Sequence, residues 1–180
     1  GQALGSSRSL ALVLADLDGD GDLDLVVGNR ENQPDLVYAN NGFGVFTAGP
    51  QTLGSSDTRG IAAGDVDGDG KVDLLANSAQ PVGAFPNSGA WLKVPKKPRK
   101  AKSWERHIFA RNDAPGLSHY LGIGDVNGDG RADIAMGAKG GPSDASGMGE
   151  WFYWWEASND PTKPFTRHKL PGKHLGATCI

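Results

Sequence analysis

One nine-residue pattern occurs three times and restricts this chain more than anything else in it: Asp-x-Asp/Asn-Gly-Asp-Gly-x-x-Asp. The copies are Asp16-Leu-Asp-Gly-Asp-Gly-Asp-Leu-Asp24, Asp65-Val-Asp-Gly-Asp-Gly-Lys-Val-Asp73 and Asp125-Val-Asn-Gly-Asp-Gly-Arg-Ala-Asp133, with starts 49 and 60 residues apart. Repetition at this period marks one supersecondary unit used several times. Short apolar or small-residue runs precede each copy (Leu10 to Ala15, Ile61 to Gly64, Tyr120 to Gly124) and follow it (Leu23 to Gly28, Val72 to Ala76, Ala132 to Gly137). They have strand length, are bounded by Gly, Asn and Asp, and show no sustained helical period. Gly (27) and Pro (11) are frequent for 180 residues, which suits many short strands and turns.

The likeness extends beyond the loops. Trp91 lies 18 residues after Asp73, and Trp151 lies 18 after Asp133. A Pro- and Lys-containing turn follows in both, then Arg106-His107-Ile108 and Arg167-His168-Lys169. The first repeat is shorter, with a run from Asp35 to Asn40, Asn41-Gly42 as a tight hairpin turn, and Phe43 to Thr47. Each unit reads as strand, acidic loop, strand, variable loop, strand, turn, strand. Four antiparallel strands in about 50 to 60 residues is the size of a propeller blade. The expected fold is all-β, with about three four-stranded antiparallel blades. Their expected spans are 8–58, 59–117 and 118–173, and 174–180 would open a further blade.

Twelve of the 21 acidic residues fall in these loops. Clustering carboxylates this tightly without a counter-ion is repulsive. Three bound divalent cations would turn the formal net charge of −3 into +3. Carboxylates at positions 1, 3 and 5 point inward when the chain wraps tightly, and Gly at position 6 supplies the sharp turn. The expected ligands are Asp16, Asp18, Asp20, Asp22 and Asp24; Asp65, Asp67, Asp69, Lys71 (through its carbonyl) and Asp73; and Asp125, Asn127, Asp129, Arg131 (carbonyl) and Asp133. Oxygen-only donors on a flexible loop favour Ca²⁺ over Mg²⁺ or zinc, so about three calcium ions are expected. Asn127 removes one charge from the third loop, which should be the weakest. An EF-hand would need Glu at position 12, where Val27, Ala76 and Met136 stand inside strand-like runs.

These motifs, with Asn40-Asn41-Gly42-Phe43-Gly44-Val45-Phe46-Thr47 after the third strand, resemble FG-GAP/VCBS repeats, as in integrin α-subunit propellers and many secreted proteins. The resemblance implies a β-propeller with Ca²⁺ in its blade loops and an extracellular or cell-surface setting. It implies no single activity, since such repeats occur in adhesion proteins, lectins and lyase-like enzymes. Propellers close with four or more blades, and this chain supplies about three. His174 to Ile180 resembles His119 to Asp125. The expectation is a fragment of a longer propeller, or a piece completed by association through open blade edges. A start at Gly1 without Met points the same way. Uneven repeat lengths weigh against a neat ring of two copies.

The remaining features support binding more than catalysis. Trp151-Phe-Tyr-Trp-Trp155 is the densest aromatic patch. Alternation puts Trp151, Tyr153 and Trp155 on one side, for packing between blades or for stacking on a glycan or protein partner. The basic run Lys93, Lys96, Lys97, Arg99, Lys100 and Lys102 reads as a solvated turn rather than a site for nucleic acid or acidic polysaccharide. His107 and His168 recur at one repeat position, which favours a structural role. No catalytic motif is present, and no apolar run reaches membrane-spanning length. The lone Cys179 excludes an internal disulfide. The expected function is a non-catalytic calcium-binding scaffold or binding module, with part of a carbohydrate-active lyase or dehydratase, or a self-assembling protein, as alternatives.

Overall fold

The computed structural model describes residues 1–54, 57–77, 86–114, 120–137 and 152–170. Twelve strands form three four-stranded antiparallel sheets, and no helix occurs among the described residues. The first sheet holds β1 (Ser9–Ala15), β2 (Asp24–Asn29), β3 (Leu36–Asn40) and β4 (Phe46–Ala48). The second holds β5 (Gly60–Gly64), β6 (Asp73–Asn77), β7 (Gly89–Lys93) and β8 (Glu105–Ala110). The third holds β9 (Tyr120–Gly124), β10 (Asp133–Gly137), β11 (Phe152–Glu156) and β12 (Thr166–Lys169). Each sheet is a meander in chain order, and the first strands of successive sheets, β1, β5 and β9, lie side by side.

Strands buried on both faces need apolar residues at successive positions, and the middle strands supply them: Val26 and Val27, Leu74 and Leu75, Trp91 and Leu92. Alternate side chains therefore enter different cores. Val26 and Val37 of the first sheet meet Leu74, Leu92 and Val94 of the second in one core. The opposite face of the second sheet sends Leu75, Trp91 and Phe109 against Ile134, Met136, Tyr153, Trp155 and Phe165 in the other. Trp91 Nε1–H donates to Pro161 O (3.1 Å) and Phe165 N–H to Phe109 O (2.8 Å), tying these two sheets together.

Pairing register corrects two expectations. Trp91 pairs with Leu75, two residues after Asp73, while the residue pairing two after Asp133 is Trp154. The counterpart of Trp91 is thus Trp154 and not Trp151, because the connection before β11 is three residues longer; Trp151 lies outside the described residues. The histidines confirm this alignment, with His107 tilted against Trp91 and His168 stacked on Trp154, both at 4.3 Å between centroids. The Asn41-Gly42 turn is also wider than a two-residue hairpin. β4 starts only at Phe46, and Asn40 and Asn41 side-chain oxygens accept the Gly42, Phe43, Gly44 and Val45 amides. A side chain at Gly42 would collide with the Asp22 carboxylate.

A buried polar cluster joins the first two sheets. Asp35 accepts the Asn29 N–H and the Thr58 hydroxyl, both at 2.7 Å, and is 3% exposed. Burial outweighs these bonds and pushes its carboxyl up to about 6. An acid raised in the folded state stabilises the fold below its unfolded value, and that contribution fades as pH rises from 3.8 through 6. Asp35→Asn keeps both contacts without the buried charge. Its melting temperature relative to the parent should be higher at about pH 7.5 than at about pH 4, a difference read by paired thermal melts.

Candidate metal centre

Each acidic loop connects the first and second strands of its sheet and is wound by its own carboxylates. Position 1 accepts the amides of both glycines, Asp16 from Gly19 and Gly21, Asp65 from Gly68 and Gly70, and Asp125 from Gly128 and Gly130, at 2.7–3.0 Å, and in the second and third loops also that of position 5. The glycines at positions 4 and 6 have φ between 74° and 90°, a conformation that side chains resist. Position 5 caps the next turn by accepting the position 7 amide: Asp20 from Asp22, Asp69 from Lys71, Asp129 from Arg131.

Position 9 begins the second strand, is buried in all three repeats, and joins elements far apart in the chain. Asp24 accepts Leu17 N–H and Asn40 N–H, Asp73 accepts Val66 and Val94, and Asp133 accepts Val126 and Ala157. One oxygen thus holds the loop and the other holds the end of the third strand. Burial raises the Asp24 carboxyl, and raises that of Asp73 to about 6 with Asp67 adding repulsion.

Two loops gather carboxylates tightly enough to hold a cation. Oxygens of Asp16, Asp18 and Asp20 lie within 4.8 Å of one another, as do those of Asp65, Asp67 and Asp73. The donor set is all oxygen, and Asp18 Oδ1 is buried with no hydrogen-bond partner. Such an orphaned acceptor in a carboxylate trio fits a hard cation. Asp22, Asp24 and Asp69 fall outside these trios, and Asp125, Asp129 and Asp133 form none among the described residues, where Asn127 stands at position 3.

Two residues of the basic run meet the acidic loops, which its sequence did not disclose. Arg99, in the turn after β7, crosses to the first sheet, pairs with Asp18 and Asp20 (2.5 Å to the latter) and donates to Asn40 O (3.2 Å). Lys93 pairs with Asp67 and with Asp69 (3.0 Å). Its hydrogen bond to Asp67 holds the ammonium charged, and its bond to Asp69 lowers that carboxyl. In the third loop Arg131 pairs with Asp129 (2.6 Å). Lys96, Lys97, Lys100 and Lys102 are exposed.

Of the aromatic stacking candidates, Trp155 (0% exposed) and Tyr153 (8%) lie in the core between the second and third sheets. His168 Nε2 contacts Glu156 Oε2 at 2.8 Å, and His107 lies 3.3 Å from Glu105. A cleft of about 290 Å³ runs between the second and third loops, lined by Asp65, Asp67, Asp125, Arg131 and Pro161.

Three successive four-stranded meanders, each with an acidic loop at the same corner, define a β-propeller-type repeat module. An FG-GAP-like repeat model matches residues 10–76 and an FG-GAP repeat model matches 121–148, so the chain contains FG-GAP-like repeats. No curated protein matches it in sequence.

Position 9 can be separated from the rest by mutation. Asp24→Ala strands two amides and should cost about 2–4 kcal/mol in urea unfolding with chelator present. Asp20→Ala, with an exposed side chain, should cost less than about 1 kcal/mol in the same metal-free experiment.

Proposed function

We propose that this chain is a calcium-binding, non-catalytic propeller module of an extracellular or cell-surface protein, serving as a scaffold or as a surface for a protein or glycan partner. The observation that carries this reading is the pair of carboxylate trios, one with a buried oxygen lacking any partner. Calcium would be held by positions 1, 3 and 5 in the first loop and by positions 1, 3 and 9 in the second. The third loop, with Asn127, would bind most weakly. A bound divalent cation offsets the repulsion among these acids and adds binding energy to the folded state alone. The protein's own residues supply the frame, with position 1 winding the loop and position 9 fastening it to the third strand. Extracellular calcium suits open loops of modest affinity. Among the described residues, no helix is long and apolar enough to cross a membrane.

Chelation with EDTA is expected to lower the melting temperature and added calcium to restore it; equal melts would overturn the reading. By calorimetric titration, Asp20→Ala and Asp67→Ala should each remove about one ion. Lys93 competes with a cation for Asp67, so Lys93→Met should tighten calcium at the second loop. The same variant should lower the melting temperature of the metal-free protein.

A further inference from the structure

We propose that the turn over residues 96–102 is a binding surface for an acidic polysaccharide, held in check by the pairing of Arg99 with the first acidic loop. Five of its seven residues are basic: Lys96, Lys97, Arg99, Lys100 and Lys102. All five are exposed, and the four lysines pair with no carboxylate among the described residues. Like charges this close repel one another, so a run of them without counter-ions gains from an anion supplied from outside.

The turn is anchored rather than merely solvated. The Lys97 carbonyl accepts the Lys100 and Ala101 amides at 3.0 and 3.1 Å, which coils the chain once. Pro98 is buried, and Ala101 packs against the core that holds Val94 and Trp104 between the first two sheets. The turn tops the second sheet, which has the first sheet on one face and the third on the other. The strand connections at this end of the sheets all fall among the described residues.

Arg99 is the one tethered charge of the five. It pairs with Asp18 and Asp20 of the first loop (2.5 Å to the latter) and donates to Asn40 O (3.2 Å). The carboxylates Asp16, Asp18, Asp20, Asp22 and Asp24 thus stand beside an equal number of cations, with no formal surplus. One divalent cation in the loop would leave two positive charges in excess and take Asp18 and Asp20 from Arg99. Arg99 does not fill that place itself, because Asp18 Oδ1 stays buried without a partner. A cation on the loop and a polyanion on the turn therefore favour each other. This deepens the calcium-binding reading above: release by calcium rests on it, while the surface itself does not.

The occupant this end admits is a thin polyanion. The acidic loops of all three sheets share it, so a duplex nucleic acid laid across the turn would meet Asp67, Asp69 and Asp129 as well. A single nucleic acid strand needs rings to stack on, and those flanking the turn, Trp91, Trp104 and Phe109, are buried. Sulfate or carboxylate groups along a sugar chain require only spaced cations.

Binding of a heparin oligosaccharide, followed by fluorescence anisotropy at one ionic strength, should be about fivefold or more tighter in calcium than in EDTA. Lys96→Glu/Lys100→Glu should lose binding in both with an unchanged melting temperature, since both side chains are exposed. Asp18→Asn/Asp20→Asn frees Arg99 and should bind in EDTA as tightly as the parent does in calcium. If the parent takes up no calcium in a calorimetric titration and this variant still tightens heparin, the calcium reading fails and the surface stands. The proposal is overturned by absence of heparin binding in calcium, by binding indifferent to Lys96→Glu/Lys100→Glu, by Asp18→Asn/Asp20→Asn no tighter than the parent in EDTA, or by a DNA duplex held as tightly as heparin.

Discussion

The buried carboxylate that closes each acidic loop is the interaction on which the rest depends. Its two oxygens accept amides from segments that no short-range pairing brings together, the second residue of the loop and the end of the third strand. The end of an inner strand and a loop are thereby fixed to one carboxylate, and the apolar residues flanking it are held in register. The cost is desolvation, visible in the raised Asp24 and Asp73 carboxyls. Two directed hydrogen bonds per carboxylate offset that cost, since an unmet buried amide would be as expensive.

This fastening divides labour within the nonapeptide. The terminal Asp belongs to the sheet, while positions 1 to 5 belong to a loop whose tip faces solvent. Charges at the tip are balanced differently in each repeat: by Arg99 from the neighbouring sheet, by Lys93 from the same sheet, and by Arg131 from the loop itself. The three loops share a backbone design and differ electrostatically, so a single affinity for a cation is not to be expected of them.

Much of the fold was legible because the acidic motif dictates its own geometry. Alternating Asp and Gly mark where the chain winds, and the bordering apolar runs can only be strands. What escaped was set by distances along the chain that no local pattern encodes. Trp91 and Trp151 share a spacing from their loops, yet a three-residue longer connection makes Trp154 the true counterpart. Asn41-Gly42 has the composition of a tight hairpin, but Asn side chains widen it to five residues. Arg99 reaches an acid 79 residues away, a partnership visible only once two sheets lie together. Of the candidate site, donor types and their crowding were readable; the double duty of the last Asp was not.

The glycine hollows at the two sheet junctions carry a consequence for how such an array can be rearranged. Repeats with one backbone design would be interchangeable if only loops and strands mattered. Here the bulk on one side is fitted to a hollow on the next, with Gly28 facing Ile61 at the first junction and Gly64 facing Ile123 at the second. Transposing the second and third units would put Ile123 opposite Ala15, where the glycine it fills at position 64 is replaced by a residue with a Cβ. Sequence order is thus enforced by a steric gauge, and each unit has a fixed address in the array.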